Sequence, residues 1–216
     1  MKKFRPIFIT ATNTDIGKTY TTLKIIDELG RRGLKVGVYK PVESGVEEYP
    51  KDSKALLEKA RLYNEKLKSF TCKDITPYQF SLPAAPFVAK GNVKIKKEIL
   101  KKSFEKIAKV SDIVLIEGAG GLLVPIEKDF YMVDLAKVFD AKILLVTHSK
   151  LGCINDTLLN LKLLESCEIE YEWCINRRED DGFEEITQPF YKAEFIEVLT
   201  LQNSLSEIVD KLLTKV

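Results

Sequence analysis

Lys18 and Thr19 close the stretch "ATNTDIGKT" at residues 11–19, and they are two residue types that a nucleotide's phosphates call for. A lysine ammonium reaches the β and γ phosphates, and the hydroxyl beside it can join the shell of a magnesium ion. Gly17 precedes them where a helix should open its N–H groups toward an anion. The generic spacing G-x-x-x-x-G-K-[ST] requires a glycine at position 12, where this chain has Thr12, so the strict motif fails and only its second half stands. Glu117 follows the apolar run "DIVLI", the place where nucleotide-hydrolysing sheets put a carboxylate to hold the metal. Lys40 follows "VGVY" in the same way. Two ammonium groups at one sheet edge repel unless an anion lies between them, and a triphosphate is such an anion.

Those side chains need a frame. Residues 4–10, 34–39, 113–116, 142–147 and 171–175 are short runs rich in Ile, Val, Leu or aromatics, and they predict buried strands. Helical patterns lie between them. One runs over 18–33, ending on Gly33 as a cap. Another runs over 94–110, with Ile95, Ile99, Leu100, Phe104, Ile107 and Ala108 on one face; two more cover 154–167 and 204–216. Strands alternating with helices predict an α/β fold. It should be a single domain over 1–216, a mostly parallel sheet with helices on both faces, P-loop NTPase-like. Ligands of such sheets bind at the carboxyl ends of the strands. Here those ends carry "ATNTDIGKT", "KPVESG", "EGAGG", "HSKLGCIN" and "NRRED" in order, which describes one continuous site.

Composition excludes more than it selects. With 216 residues, 45% hydrophobic and 31% charged, the chain is an ordinary globular one, and 34 basic against 32 acidic residues leave a net charge of +2. That balance gives no pull toward nucleic acid or a membrane surface. The seven lysines of residues 94–109 fall opposite the apolar stripe and are expected to be a solvated helix face. Cys72, Cys153, Cys167 and Cys174 lack C-x-x-C spacing, so reduced thiols and a cytoplasmic location are expected. No stretch approaches the ~20 apolar residues that cross a bilayer.

Taken together, "ATNTDIGKT", "YKPVESG", "VLIEGAGGLLVPI" and "KLGCINDTLL" resemble the dethiobiotin synthetase family, from about residue 7 to residue 176. The resemblance implies a Mg2+-dependent ligase of biotin synthesis that uses ATP as co-substrate. One amine of 7,8-diaminononanoate captures CO2 as a carbamate, which attacks the γ-phosphate of ATP. The second amine then closes the cyclic urea and expels phosphate. It implies Lys18 and Lys40 as catalytic residues, and Thr14, Asp15, Ile16, Gly17, Lys18, Thr19 and Asn176 around the nucleotide, with Asn176 reading adenine. Substrate contacts fall to Lys40, Ser44, Gly120, Gly121, Leu122 (with Val124 as apolar wall), Gly152, Cys153, Ile154 and Asn155. The last four open a helix that the neighbouring subunit supplies in the family, so a homodimer is implied. Metal ligands fall to Thr19, Glu117 and Asp52, the lesser alternative being that Asp52 or Ser53 caps the helix that starts there.

Several positions depart from the family pattern. Ala11 stands for the first loop glycine, Asn13 for an aspartate, and Asp15 where some relatives have glutamate. The charged segment "NRREDDGFEE" follows Asn176 where relatives have smaller residues and proline, which puts adenine selectivity in question. His148, the only histidine, is expected to satisfy local backbone, and Trp173 to belong to the core. Two rival readings are a partitioning-type P-loop ATPase switch and a non-catalytic nucleotide-binding regulator. The first carries a signature lysine in K-G-G-x-G-K-[ST], at the position that Asn13 holds here. The second leaves Lys40, Glu117 and "KLGCIN" without a common purpose.

Overall fold

In a computed structural model, residues 4–177, 182–195 and 197–214 are described. Chain order begins with β1 (Ile7–Ala11), α1 (Lys18–Arg31), β2 (Val36–Tyr39), β3 (Val42–Ser44), α2 (Lys51–Arg61) and a short 3-10 turn at Glu65–Ser69. Next come α3 (Cys72–Ile75), β4 (Tyr78–Phe80), α4 (Pro86–Ala89), α5 (Lys97–Ala108) and β5 (Ile113–Glu117). The hairpin β6 (Pro125–Glu127) and β7 (Phe130–Tyr131) leads to α6 (Met132–Val138), β8 (Lys142–His148), α7 (Cys153–Ser166) and β9 (Tyr171–Asn176). The chain closes with α8 (Phe183–Ile186), α9 (Gln188–Glu194) and α10 (Leu205–Leu213).

Five strands form the central sheet in the order β2-β5-β1-β8-β9, and every pairing in it is parallel. All five residues of β1 and all five of β5 are buried, as strands covered on both faces must be. Each of the five segments expected to be strands is one, with ends shifted by a few residues. Two small sheets were not foreseen from the sequence. β3 pairs in parallel with β4, and β6 pairs antiparallel with β7. At two or three residues each, they are too short to leave a period-2 signature.

Helix α1 buries Lys18, Thr21, Thr22, Ile25, Ile26 and Leu29, an i, i+3, i+4, i+7 stripe laid on the sheet. It stops where Gly33 takes φ +82 just past the last turn, the left-handed end that glycine tolerates. Helix α5 is shorter than its pattern and buries Leu100 and Ile107. Ile99, expected on the same face, is 43% exposed, because consecutive residues on a helix point about 100° apart and Leu100 takes the inward place. Among the described residues no helix is long and apolar enough to cross a membrane.

Register brings the functional strand ends together. Ile9 of β1 lies beside Glu117 of β5, and Gly118 donates its N–H to the Ile9 carbonyl at 3.0 Å. The carboxyl end of β5 therefore lies against the loop that leaves β1. The chain adds β2 and β5 on one side of β1, and β8 and β9 on the other, which makes β1 the switch point where such sheets open a crevice.

Candidate nucleotide and substrate site

The loop between β1 and α1 solves its missing glycines with two left-handed residues further on. Asp15 has φ +59 and Gly17 has φ +100, whereas neither Ala11 nor Thr12 has a positive φ. Ala11 ends a strand, and the Thr12 N–H donates to the Val146 carbonyl at 3.0 Å, so a Cβ at either position costs nothing. Aspartate is one of the few residues that visits the left-handed region readily. Gly17 has no such latitude. A Cβ there would come 2.3 Å from Asn176 Nδ2.

Lys18 and Lys40 meet in the cleft with different partners. Lys18 Nζ donates to the Asn13 carbonyl at 2.9 Å, so the ammonium curls back over its own loop. Burial and the nearby Lys40 charge lower its pKa to about 8, against the pull of Glu117, Asp52 and Asp15. Lys40 Nζ donates to Asp52 Oδ2 at 2.7 Å and to Glu117 Oε1 at 2.6 Å. Burial alone would depress its pKa, but the two carboxylates outweigh burial and hold the pKa above the ordinary lysine value.

Glu117 is wholly buried and both of its oxygens are engaged. Thr19 Oγ1 donates to Oε1 at 2.9 Å, and Thr22 Oγ1 approaches Oε2 at 2.7 Å. Asp52 does not cap α2, and neither does Ser53. The residue before that helix is Pro50, and the N–H groups of Asp52 and Ser53 donate to the carboxylate of Glu43, each at 3.0 Å. The Asp52 side chain is thereby free to face Lys40.

A cleft of about 710 Å3 is bounded by Thr14, Asp15, Gly17, Lys18 and Thr19 of the loop, by Lys40, Glu43, Ser44 and Asp52, and by Gly118, Ala119, Gly120 and Val124 after β5, with the buried Glu117 held behind Thr19 and Lys40 and not on the wall itself. The size suits a small-molecule site. Tyr20 and the run Pro83-Ala84-Ala85-Pro86 complete the wall. That run, from "SLPAAP", supplies rigid apolar surface without bulk and carries no motif that marks it in the sequence.

Other expected contacts lie elsewhere. Leu122 is buried in the main core and does not line the cleft. Gly121 packs on the loop, where a Cβ would lie 3.3 Å from the Ala11 carbonyl. Gly152 opens α7 at φ +96, and with Cys153, Ile154 and Asn155 it stands outside the cleft of its own chain. The Cys153 side chain turns inward against Ile175, Phe183 and Tyr191, and burial raises its thiol pKa. Its N–H is taken by the Lys150 carbonyl at 3.0 Å, so it has neither side chain nor amide to offer a ligand.

Asn176 lies beneath the loop, with its amide in use. Its Nδ2 donates to the Ile16 carbonyl at 2.8 Å, and its Oδ1 accepts from Gln202 Nε2 at 3.0 Å. His148 pairs through Nε2 with Asp156 Oδ2 at 3.1 Å, so its partner is a carboxylate on the first turn of α7, not backbone. Trp173 is half-buried against Tyr191 and Phe195, at the rim of a second apolar cluster. Residues 178–181 of the charged segment after Asn176 lie outside the described residues.

A family model described as an AAA domain matches residues 5–188. The ATP-dependent dethiobiotin synthetase BioD of Sulfurovum sp. is 49% identical over 190 residues, 88% of this chain and 90% of that protein. This chain belongs to the dethiobiotin synthetase family. The synthetase of Wolinella succinogenes, also described as ATP-dependent, is 36% identical over 98% of this chain and 100% of its own length. Among solved structures, the cell-division protein MinD of Aquifex aeolicus superposes with a TM-score of 0.52 at 20% identity, covering 96% of this chain and 86% of its own. A plasmid partition protein of Borrelia burgdorferi gives 0.52 at 13%, over 89% and 85%. Those two establish the P-loop NTPase-like fold of this family member and nothing further.

The oxygens at the cleft suit a hard divalent ion. The Thr19 hydroxyl and the carboxylates of Glu117 and Asp52 converge, the two carboxylates being bridged by one Lys40 ammonium. Among the described residues no cluster of three or more His, Cys, Asp and Glu could hold a metal by itself. Hydroxyl and carboxylate oxygens are the donors that a hard divalent ion such as Mg2+ takes.

Proposed function

We propose that this chain is a dethiobiotin synthase working as a homodimer in the cytoplasm, which carboxylates 7,8-diaminononanoate with CO2 and closes the ureido ring at the expense of ATP. What carries the reading is the meeting of Lys18, Lys40, Thr19 and Glu117 at one sheet edge, in a chain whose relatives bear that name.

The chemistry asks for positive charge between two anions. A free amine attacks CO2, giving a carbamate and releasing one proton. The carbamate oxygen attacks the γ-phosphorus, the bond to the β-phosphate oxygen breaks, and ADP leaves with that electron pair. The second amine attacks the carbamate carbon of the mixed anhydride and gives up one proton to solvent or to the departing phosphate. Phosphate departs and the cyclic urea remains. Lys18, reaching from the loop, neutralises the phosphate oxygens as they approach the carbamate, and Lys40 does so from the β2 side. Thr14 and Ser44 orient the anionic ends by hydrogen bonds, and Pro83–Pro86 with Val124 line the path of the apolar chain. Thr19, Glu117 and Asp52 would hold Mg2+, which would supply charge neutralisation across the β and γ phosphates. Here the preorganised groups chiefly position the reactants.

The test supplies diaminononanoate, bicarbonate, MgATP and protein. A ureido product and one phosphate per product are expected. Phosphate release that ignores the diamine would point instead to a nucleotide-driven switch.

A further inference from the structure

Glu43 is a carboxylate for which the proposed chemistry has no direct use. It sits in the middle of "KPVESG", on β3, three residues after Lys40. It is 6% exposed although it borders the cleft. A buried carboxylate must find partners, and those of Glu43 all lie on one element. Oε1 accepts the Asp52 N–H and Oε2 accepts the Ser53 N–H, each at 3.0 Å. The Ser53 hydroxyl also donates to Oε2, and the same hydroxyl lies 2.5 Å from Thr76 Oγ1.

The first turn of α2 is therefore capped from a distance. Its own preceding residue is Pro50, with no side-chain cap, so orphan amides of the helix are satisfied nine and ten residues back in the chain. A negative charge there also suits the helix dipole. The cap fixes the rotation of α2 about its axis. Asp52, at the second position of that helix, has a half-exposed side chain whose carboxylate accepts from Lys40 Nζ at 2.7 Å, and Lys40 Nζ also donates to Glu117 at 2.6 Å. With three donors on its two oxygens, Glu43 has little capacity left for a substrate ammonium.

We infer that Glu43 is a positioning residue, which holds the first turn of α2 so that Asp52 stays on the metal side of the cleft. The inference rests on the proposed role of Asp52 toward a divalent ion. The probe is Mn2+ binding in the presence of ADP, followed by electron paramagnetic resonance on the full-length protein, with steady-state turnover against Mg2+ concentration beside it. Glu43→Gln keeps the shape but turns an N–H2 toward one of two backbone N–H donors. It is expected to weaken Mn2+ binding about five- to tenfold and to raise the Mg2+ needed for half-maximal turnover by a similar factor, while kcat at saturating Mg2+ stays within about threefold.

Asp52→Asn should weaken Mn2+ binding at least as much. The double variant should bind Mn2+ no more than about twofold more weakly than Asp52→Asn alone, since a residue acting through Asp52 has nothing left to position. Unchanged Mn2+ binding in Glu43→Gln, or losses that multiply in the double variant, would overturn the inference. If Glu43→Gln yields no folded protein, Ser53→Ala loosens the same carboxylate and should weaken Mn2+ binding two- to threefold; no change there would overturn it equally. The titration needs only ADP and the ion. A protein that binds both yet makes no ureido product would sink the functional reading and leave the inference to be judged on the titration.

Discussion

Lys18 carries a conflict between stability and chemistry that can be measured. Burial and the Lys40 charge lower its pKa from 10.5 to about 8, so at neutral pH the folded protein keeps an ammonium that its surroundings disfavour. The unfolded chain binds more protons than the folded one between about pH 8 and 10.5. Stability contributed by this group therefore rises across that window and bears its full penalty below it. Lys18→Met should stabilise the nucleotide-free protein at pH 7 by about 1–3 kcal/mol, an advantage that shrinks as pH climbs to 10.5. The same change should cost on the order of 10^3-fold in kcat, because the charge on the phosphates is lost. Denaturant unfolding at pH 7 and pH 10, beside a phosphate-release assay, checks both halves. A variant that is destabilised at pH 7, or that turns over normally, would refute the assignment. Lys40 and Glu117 were legible in the sequence because a strand end fixes where the residue there points, and Lys18 because Gly17-Lys18-Thr19 stands where a strand passes into a helix. Thr22 was not. Its hydroxyl serves the second oxygen of Glu117, and nothing in "KTYTTL" tells a buried threonine that holds a carboxylate from one that merely fills a helix face.

At the scale of elements, the phosphate loop shows how a motif can fail on paper and stand in space. The motif's glycines serve backbone conformation and close approach, and in this chain those demands fall on Asp15 and Gly17. Restoring the generic glycine should accordingly change little. Thr12→Gly is expected to leave kcat/KM within about threefold and stability within ~1 kcal/mol. Gly17→Ala should be severe. Its Cβ meets Asn176 Nδ2 at 2.3 Å at a φ of +100, and Asn176 is pinned between the Ile16 carbonyl and Gln202. A loss of at least 100-fold in kcat/KM for ATP is expected, about 2.7 kcal/mol or more. Equal effects of the two substitutions would place the loop's conformational demand elsewhere. Gln202 itself lies 26 residues beyond Asn176, past the end of every recognisable motif, which is why a contact that orients the residue beneath the loop left no trace in the sequence. The five long strands left one because buried parallel strands are continuous apolar runs, whereas β3, β4, β6 and β7 are too short to show a period.

For the whole molecule, the open question is where the far end of a nine-carbon substrate goes. The family resemblance places substrate contacts at the start of α7, yet Gly152 to Asn155 stand outside the cleft of their own chain. Leu151 beside them is 91% exposed and Leu159 on the same helix 60%. A second copy that brings this helix to the first copy's cleft would cover those leucines and offer Ile154 and Asn155 to the substrate. The prediction is concentration dependence. Specific activity of the wild type should fall on dilution in step with the appearance of monomer in sedimentation velocity. Leu151→Asp, a change on a fully solvated side chain, should leave the stability of the monomer within ~0.5 kcal/mol while moving the protein to monomer and reducing turnover at least tenfold at micromolar concentration. A wild-type monomer with full activity would mean that the cleft is complete within one chain, and that Pro83–Pro86 and Val124 hold the whole length of the substrate without help from α7.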